Sequence, residues 1–286
     1  MSQSIQRRGF SVAVLSGCLM PRSALAQAVA PLEMGLLPNI SARSLLSQYQ
    51  PLRDYLVRVL QRPVHLSTAS DWSVFHQRIA STTYDLVVNA PHMARLAQLD
   101  LGWQPVVQLL PDVKCLLVFA AARPIATVAE LRGKTVVLSN PQSLVAMHGM
   151  GWLASMGLRG GQDFDLMRTP TEDSAGNVLL RGDATAALIS AGELKAMPEA
   201  VRDQLRTLSA YAEVPGFMIL ASPRIDAAML RQIRQHLLAF VDAGPGEAQA
   251  FMHATGFTGI REITPGVLQS MDAHVQATRE KLVKAS

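Results

Sequence analysis

Side chains able to do chemistry are few and scattered in this chain. Its seven histidines, at positions 65, 76, 92, 148, 236, 253 and 274, show no spacing that would set two imidazoles on one helix face around a metal ion. There is no Gly-x-Ser-x-Gly elbow, no His-Glu-x-x-His, no Walker loop and no Cys-x-x-Cys pair. The patterns that activate a serine, hold a catalytic zinc, cradle nucleotide phosphates or cycle a dithiol are therefore missing. Gly149-Met150-Gly151-Trp152-Leu153-Ala154 has the letters of a dinucleotide fingerprint, but ten residues separate it from the expected strand end at Leu138. A fingerprint must lie in the strand-to-helix turn, so these glycines read as small residues for close helix packing. Cys115 sits in the apolar run 115–119 and reads as a small buried hydrophobe rather than a nucleophile.

Four loops carry polar side chains where strands end and helices begin. Pro38-Asn39-Ile40-Ser41 offers Asn39 and Ser41; Asn89-Ala90-Pro91-His92 offers Asn89 and His92. Ser139-Asn140-Pro141-Gln142-Ser143 would present Gln142, Ser143 and backbone N–H groups at a helix start, an arrangement suited to an anionic oxygen group. In Thr171-Glu172-Asp173-Ser174, Asp173 is either a ligand residue or a cap and dipole partner of the helix that follows. Together these residues would recognise a small polar or anionic solute. No cofactor and no metal is implied.

The elements that must position these loops alternate. Strand candidates at 32–37, 64–66, 84–88, 105–110 and 115–120 are interleaved with a helix capped by Ser41 and stopped by Pro63, a helix at 71–81 and a short one from His92. Pro51 falls inside the first helical stripe and predicts a kink or a split there. After the break Ala122-Arg123-Pro124 the pattern restarts, with strands at 135–138, 164–167 and 184–189 and helices at 128–131, 143–156 and 173–180. A strand at 217–220 and a helix bearing Leu230, Ile233, Leu237 and Val241 return the chain. A last helix opens at Thr264-Pro265 with the stripe Leu268, Met271, Val275, Thr278 and Leu282. Such alternation predicts an α/β protein of two lobes, each a mainly parallel sheet flanked by helices, with residues 27–120 and 215–286 in the first lobe and 121–214 in the second. The cleft between them is the expected ligand site.

Residues 1–26 read as an export segment. Arg7 and Arg8 precede an apolar run of 11 residues, Phe10 to Met20, and Ala24-Leu25-Ala26 supplies small residues for cleavage near Ala26. The run is far short of the ~20 residues of a spanning helix. Arg7-Arg8-Gly9-Phe10 fits a twin-arginine signal or a Sec signal with adjacent arginines, and Leu15-Ser16-Gly17-Cys18 leaves open lipidation at Cys18. Every alternative places the protein outside the cytoplasm, in the periplasm. Removing the segment leaves 23 basic against 22 acidic side chains, a formal +1 in place of +4. Nothing then supports a phosphate-backbone footprint, so nucleic acid is excluded as a partner.

The segments Tyr84-Asp85-Leu86-Val87-Val88-Asn89-Ala90-Pro91-His92, Glu130-Leu131-Arg132-Gly133-Lys134-Thr135-Val136-Val137-Leu138-Ser139-Asn140-Pro141-Gln142-Ser143 and Gly182-Asp183-Ala184-Thr185-Ala186-Ala187, in that order, resemble the phosphate/phosphite/phosphonate-binding proteins of bacterial ABC importers. The resemblance implies the two-lobed periplasmic binding-protein fold (type II-like), a monomer without enzymatic activity, and an ABC permease as partner. It also implies oxyanion contacts from 89–92 and Ser143, with Asp173 facing a ligand amino group. Where the family's helix start usually reads Ser-Thr-Ser-Gly, this chain has Ser143-Leu144-Val145-Ala146, two hydroxyls fewer. Two other readings remain open: a ligand sensor for a membrane signalling protein, and an exported enzyme on the same scaffold.

Overall fold

The computed structural model describes residues 30–138, 140–169, 174–242 and 246–284. The export segment with Cys18, and Asp173, lie outside the described residues. The chain opens with β1 (Leu32–Leu36), α1 (Ala42–Leu60), β2 (Val64–Ser67), α2 (Trp72–Ala80), β3 (Leu86–Asn89), α3 (Pro91–Leu101), β4 (Gln104–Leu110) and β5 (Val113–Ala120). A 3-10 turn at Val128–Leu131 leads to β6 (Thr135–Leu138), α4 (Leu144–Ser155), β7 (Asp165–Arg168), α5 (Ala175–Arg181), β8 (Ala186–Ser190), α6 (Ala191–Ala196), α7 (Glu199–Arg202) and β9 (Leu205–Val214). Then come β10 (Met218–Ala221), α8 (Ala227–Ala239), α9 (Glu247–Thr255), β11 (Gly259–Glu262), α10 (Pro265–Gln269) and α11 (Asp272–Lys284).

Capping side chains set several helix starts. Ser41 Oγ accepts the Ser44 N–H of α1, Asp71 accepts the Val74 N–H of α2 at 2.9 Å, and Asp226 accepts two N–H groups of α8. α1 runs through Pro51 as one helix and is not split there. Tyr49 before the proline and Leu52 after it bury into the same core, so packing holds both halves in one helix. The final helix is instead divided at Ser270-Met271 into α10 and α11. Its whole stripe, Leu268, Met271, Val275, Thr278 and Leu282, is nevertheless buried.

The strands form a six-stranded sheet in the order β11-β4-β10-β3-β1-β2 and a five-stranded sheet in the order β7-β6-β8-β5-β9. Both are mixed, with four strands of each running in one direction, β1–β4 in the first and β6–β9 in the second. Parallel pairing is confined to β1 with β2 and β3, and to β6 with β7 and β8. The strands next to the crossings between sheets enter from the opposite end: β10 lies antiparallel between β3 and β4, and β5 antiparallel between β8 and β9. β5 therefore belongs to the second sheet. The chain leaves the first sheet at Pro111-Asp112, ahead of the boundary expected after residue 120, and returns through Pro215-Gly216-Phe217.

Each sheet is covered on both faces, and the period of two along its strands divides the cores. Leu86 and Val88 face one cluster while Val87 faces another. In β5, Leu116 and Val118 face one cluster and Leu117 and Phe119 the other. Gly35 is required on β1, since a Cβ there would lie 2.7 Å from the Tyr84 ring. Of the pair 149 and 151, only Gly149 makes the close approach expected of it: a Cβ would lie 2.8 Å from Leu188, whereas Gly151 faces open space.

At the return crossing, a Cβ on Gly216 would come within 2.2 Å of the Leu109 carbonyl oxygen. Backbone cannot yield as a side chain does. Gly216→Ala is expected to cost about 2 kcal/mol and lower Tm by roughly 5 °C, whereas Gly151→Ala, on an open helix face, should raise it slightly. Thermal denaturation of the two variants beside the parent checks both signs.

Candidate functional site

A cleft of about 610 Å3 lies between the two sheets, lined from the first by Asn39, Trp72 and Ala90 and from the second by Ser143, Ser190 and Val214. The carboxyl ends of β1 and β3 open into it, each followed by a helix, and so does the start of α4, the helix after β6. The starts of α1, α3 and α4 thus stand around one space, marked by the lining residues Ile40, Pro91 and Leu144. The positive ends of three helix dipoles favour an anion there.

Of the expected ligand residues, Asn39 and Ser143 line the cleft. Ser143 is held in place as the cap of α4: its hydroxyl donates to the Asn140 carbonyl at 2.9 Å and accepts the Ala146 N–H at 3.1 Å. Asn140 in turn accepts the Gln142 N–H at 2.8 Å, fixing the loop. The cap satisfies one of the first-turn amides; those of Leu144 and Val145 have no partner within the helix.

The other expected residues are placed differently. Ser41 serves α1 as its cap and is not among the residues lining the cleft. Asn89 is fully buried, its side-chain oxygen accepting the Ala90 N–H at 3.0 Å and its amide nitrogen without a partner. His92 is fully buried and donates from Nε2 to the Gln142 carbonyl at 2.9 Å. That bond fixes the tautomer, because a carbonyl only accepts. The Gln142 side chain donates to the Lys281 carbonyl at 3.2 Å, and Lys281 Nζ donates to the Pro141 carbonyl at 2.8 Å. Two residues expected to face a solute, His92 and Gln142, are instead joined to each other across the lobes. Helix starts beside a proline look alike in sequence whether their side chains face a cleft or a neighbouring lobe.

Residues that sequence reasoning missed also line the cleft: Lys114, Glu213, Lys195 and Tyr49. Lys114 and Glu213 are cross-strand partners on β5 and β9. Burial raises the Tyr49 hydroxyl pKa, leaving a neutral phenol in the wall. Cys115, also fully buried, has its thiol pushed up to about 12, chiefly by burial, so no thiolate is available for attack. Among the described residues, no three His, Cys, Asp or Glu side chains gather into a group that could hold a metal ion, and no helix is long and apolar enough to cross a membrane.

The family described as "ABC transporter, phosphonate, periplasmic substrate-binding protein" matches residues 34–267. Among solved structures, the fold is similar to a Prochlorococcus marinus protein in complex with methylphosphonate, at a TM-score of 0.76 and 11% identity over 89% of this chain and 98% of that one. It is also similar to a binding-protein component of a Pseudomonas aeruginosa ABC phosphonate transporter, at 0.75 and 13% over 90% and 96%. A third similar structure, a Xanthomonas citri protein bound to ATP, gives 0.71 and 20% over 88% and 98%.

The bridge between the lobes gathers basic groups. Burial holds the His92 imidazole down at about 3, with smaller contributions from His274, Lys281 and His148 against the bond to Gln142. His148 of α4 and His274 of α11 stand ring to ring at 4.9 Å, both lowered by burial, as is Lys281. The acids of α11 are engaged elsewhere: Asp272 is paired with Arg95 at 2.6 Å, and Glu280 accepts from the Gln276 side chain at 2.8 Å. Because these histidines are depressed when the lobes meet, the contact is at full strength above the ordinary imidazole value of 6.5 and weakens as pH falls from there toward about 3. Small-angle scattering across that range should show the protein expanding on acidification. His92→Gln, which keeps a donor for the Gln142 carbonyl but takes no proton, should flatten the profile; a radius of gyration constant down to pH 4 in the parent would refute the expectation.

Proposed function

The chain belongs to the family of periplasmic substrate-binding proteins of phosphonate ABC transporters, and on that premise we propose that its interlobe cleft captures an organic anion of the phosphonate class and hands it to an ABC permease. The observation that carries this reading is the convergence of three helix starts, with Asn39 and Ser143 beside them, on a cleft walled by both lobes. An anion there meets first-turn amides and a side-chain carboxamide without needing a paired cation. The protein acts by binding and lobe closure and performs no turnover. It reaches its ligand as an exported protein, with residues 1–26 as the signal.

The test is a thermal-shift titration with methylphosphonate, phosphite, phosphate and a short sulfonate. A ligand at ~100 times its Kd stabilises the folded state by about 2.7 kcal/mol. Asn39→Ala should weaken the best ligand by roughly tenfold or more, the value of a hydrogen bond to a charged group, without lowering the ligand-free Tm. Ser143→Ala should weaken it too and also cost about 1 kcal/mol of stability, since the cap of α4 is lost. A chain whose Tm responds to none of these anions does not capture them.

A further inference from the structure

The cleft is both larger and more apolar than a bare phosphonate head requires. At the ~30 Å3 that a water-sized heavy atom occupies in a liquid, the five heavy atoms of methylphosphonate take roughly 150 Å3. Most of the 610 Å3 would remain. Water left against apolar walls gains nothing, so the remaining space favours ligand carbon.

The walls are of that kind. Leu45, Trp72, Leu144, Val145, Phe217 and Phe257 all face the cleft. Trp72 has its one polar atom engaged, with Nε1 donating to the Pro38 carbonyl at 3.2 Å, so the rest of its indole serves as an apolar surface. Phe217 and Phe257 pack edge to face, with centroids 6.3 Å apart. Leu144 and Val145 are the most telling. They follow the cap Ser143 directly, at the helix start where an anion's oxygens would lie, and both residues line the cleft while packing into the buried apolar cluster with Cys115, Val214 and Met271. The amides of that first turn can still bind an oxyanion, while its side chains offer it no hydroxyl.

We infer that the ligand is an organophosphonate whose phosphorus carries a bulky apolar group, an aromatic ring or a branched alkyl chain, seated against Leu144, Val145 and the Trp72 side of the cleft. This rests on the reading of the cleft as the capture site and narrows what it captures. Backbone amides hold the head, and the hydrophobic effect supplies the discrimination.

Isothermal titration of the parent with phenylphosphonate, methylphosphonate and inorganic phosphate at one pH tests it. Phenylphosphonate should bind at least a hundredfold more tightly than methylphosphonate. The double variant Leu144→Ser with Val145→Thr should narrow that ratio at least tenfold, and Phe257→Ala should narrow it through the opposite wall in case the double variant fails to fold. Methylphosphonate binding as tightly as phenylphosphonate, or more tightly, overturns the inference and leaves phosphonate capture intact. Failure of all three anions to bind a folded parent overturns the inference together with the capture reading beneath it.

Discussion

The chain passes between its two sheets twice, and both passages are tied to one carboxylate. Asp112, on the outward passage, accepts the Gly216 amide of the return passage at 3.2 Å and the Gln108 side chain at 2.8 Å. Arg261 from β11 closes the group, bonding both Asp112 and the buried Gln108. Gly216 must be glycine for the two passages to lie this close. Every wall of the cleft hangs from this junction, since one side belongs to the sheet before it and the other to the sheet after it. The lobes meet again where Pro141 and Gln142 bond to His92 of α3 and Lys281 of α11. The cleft thus has a covalent edge and a noncovalent edge, and only the second can part.

Much of this architecture was legible in the sequence. The helix expected over 143–156 appears as α4 with Ser143 and Met156 as its caps, and the strand expected over 135–138 is β6 residue for residue. Both follow from local rules, a hydroxyl cap and a β-branched run between turns. β9 is hidden from a local reading because Leu205–Val214 mixes Arg206, Thr207, Ser209 and Glu213 with apolar residues and buries only its two ends. It is a strand because it pairs with β5, which no local pattern records.

The site was less legible than the fold. Asn39 and Ser143 stand where strand ends predicted them, but His92 and Gln142 face one another, a pairing between residues 50 apart in sequence. Lys114 and Lys195 reach the cleft only through the tertiary arrangement of β5 and α6. A loop's chemistry can be read from its residue types. Whether its side chains face solvent, solute or the other lobe depends on how the sheets are set, and the hinge decides that.

The position of β10 in the first sheet has a consequence for how the protein comes into being. It lies between β3 and β4, so those two neighbours in sequence never pair with each other and are joined only through residues 218–221. The core on one side of that sheet also needs Leu268, Val275 and Leu282, which come later still. The second sheet's strands all lie between residues 113 and 214 and are complete well before. Order of synthesis and order of assembly are therefore opposed: the lobe that begins first on the ribosome is the one that finishes last.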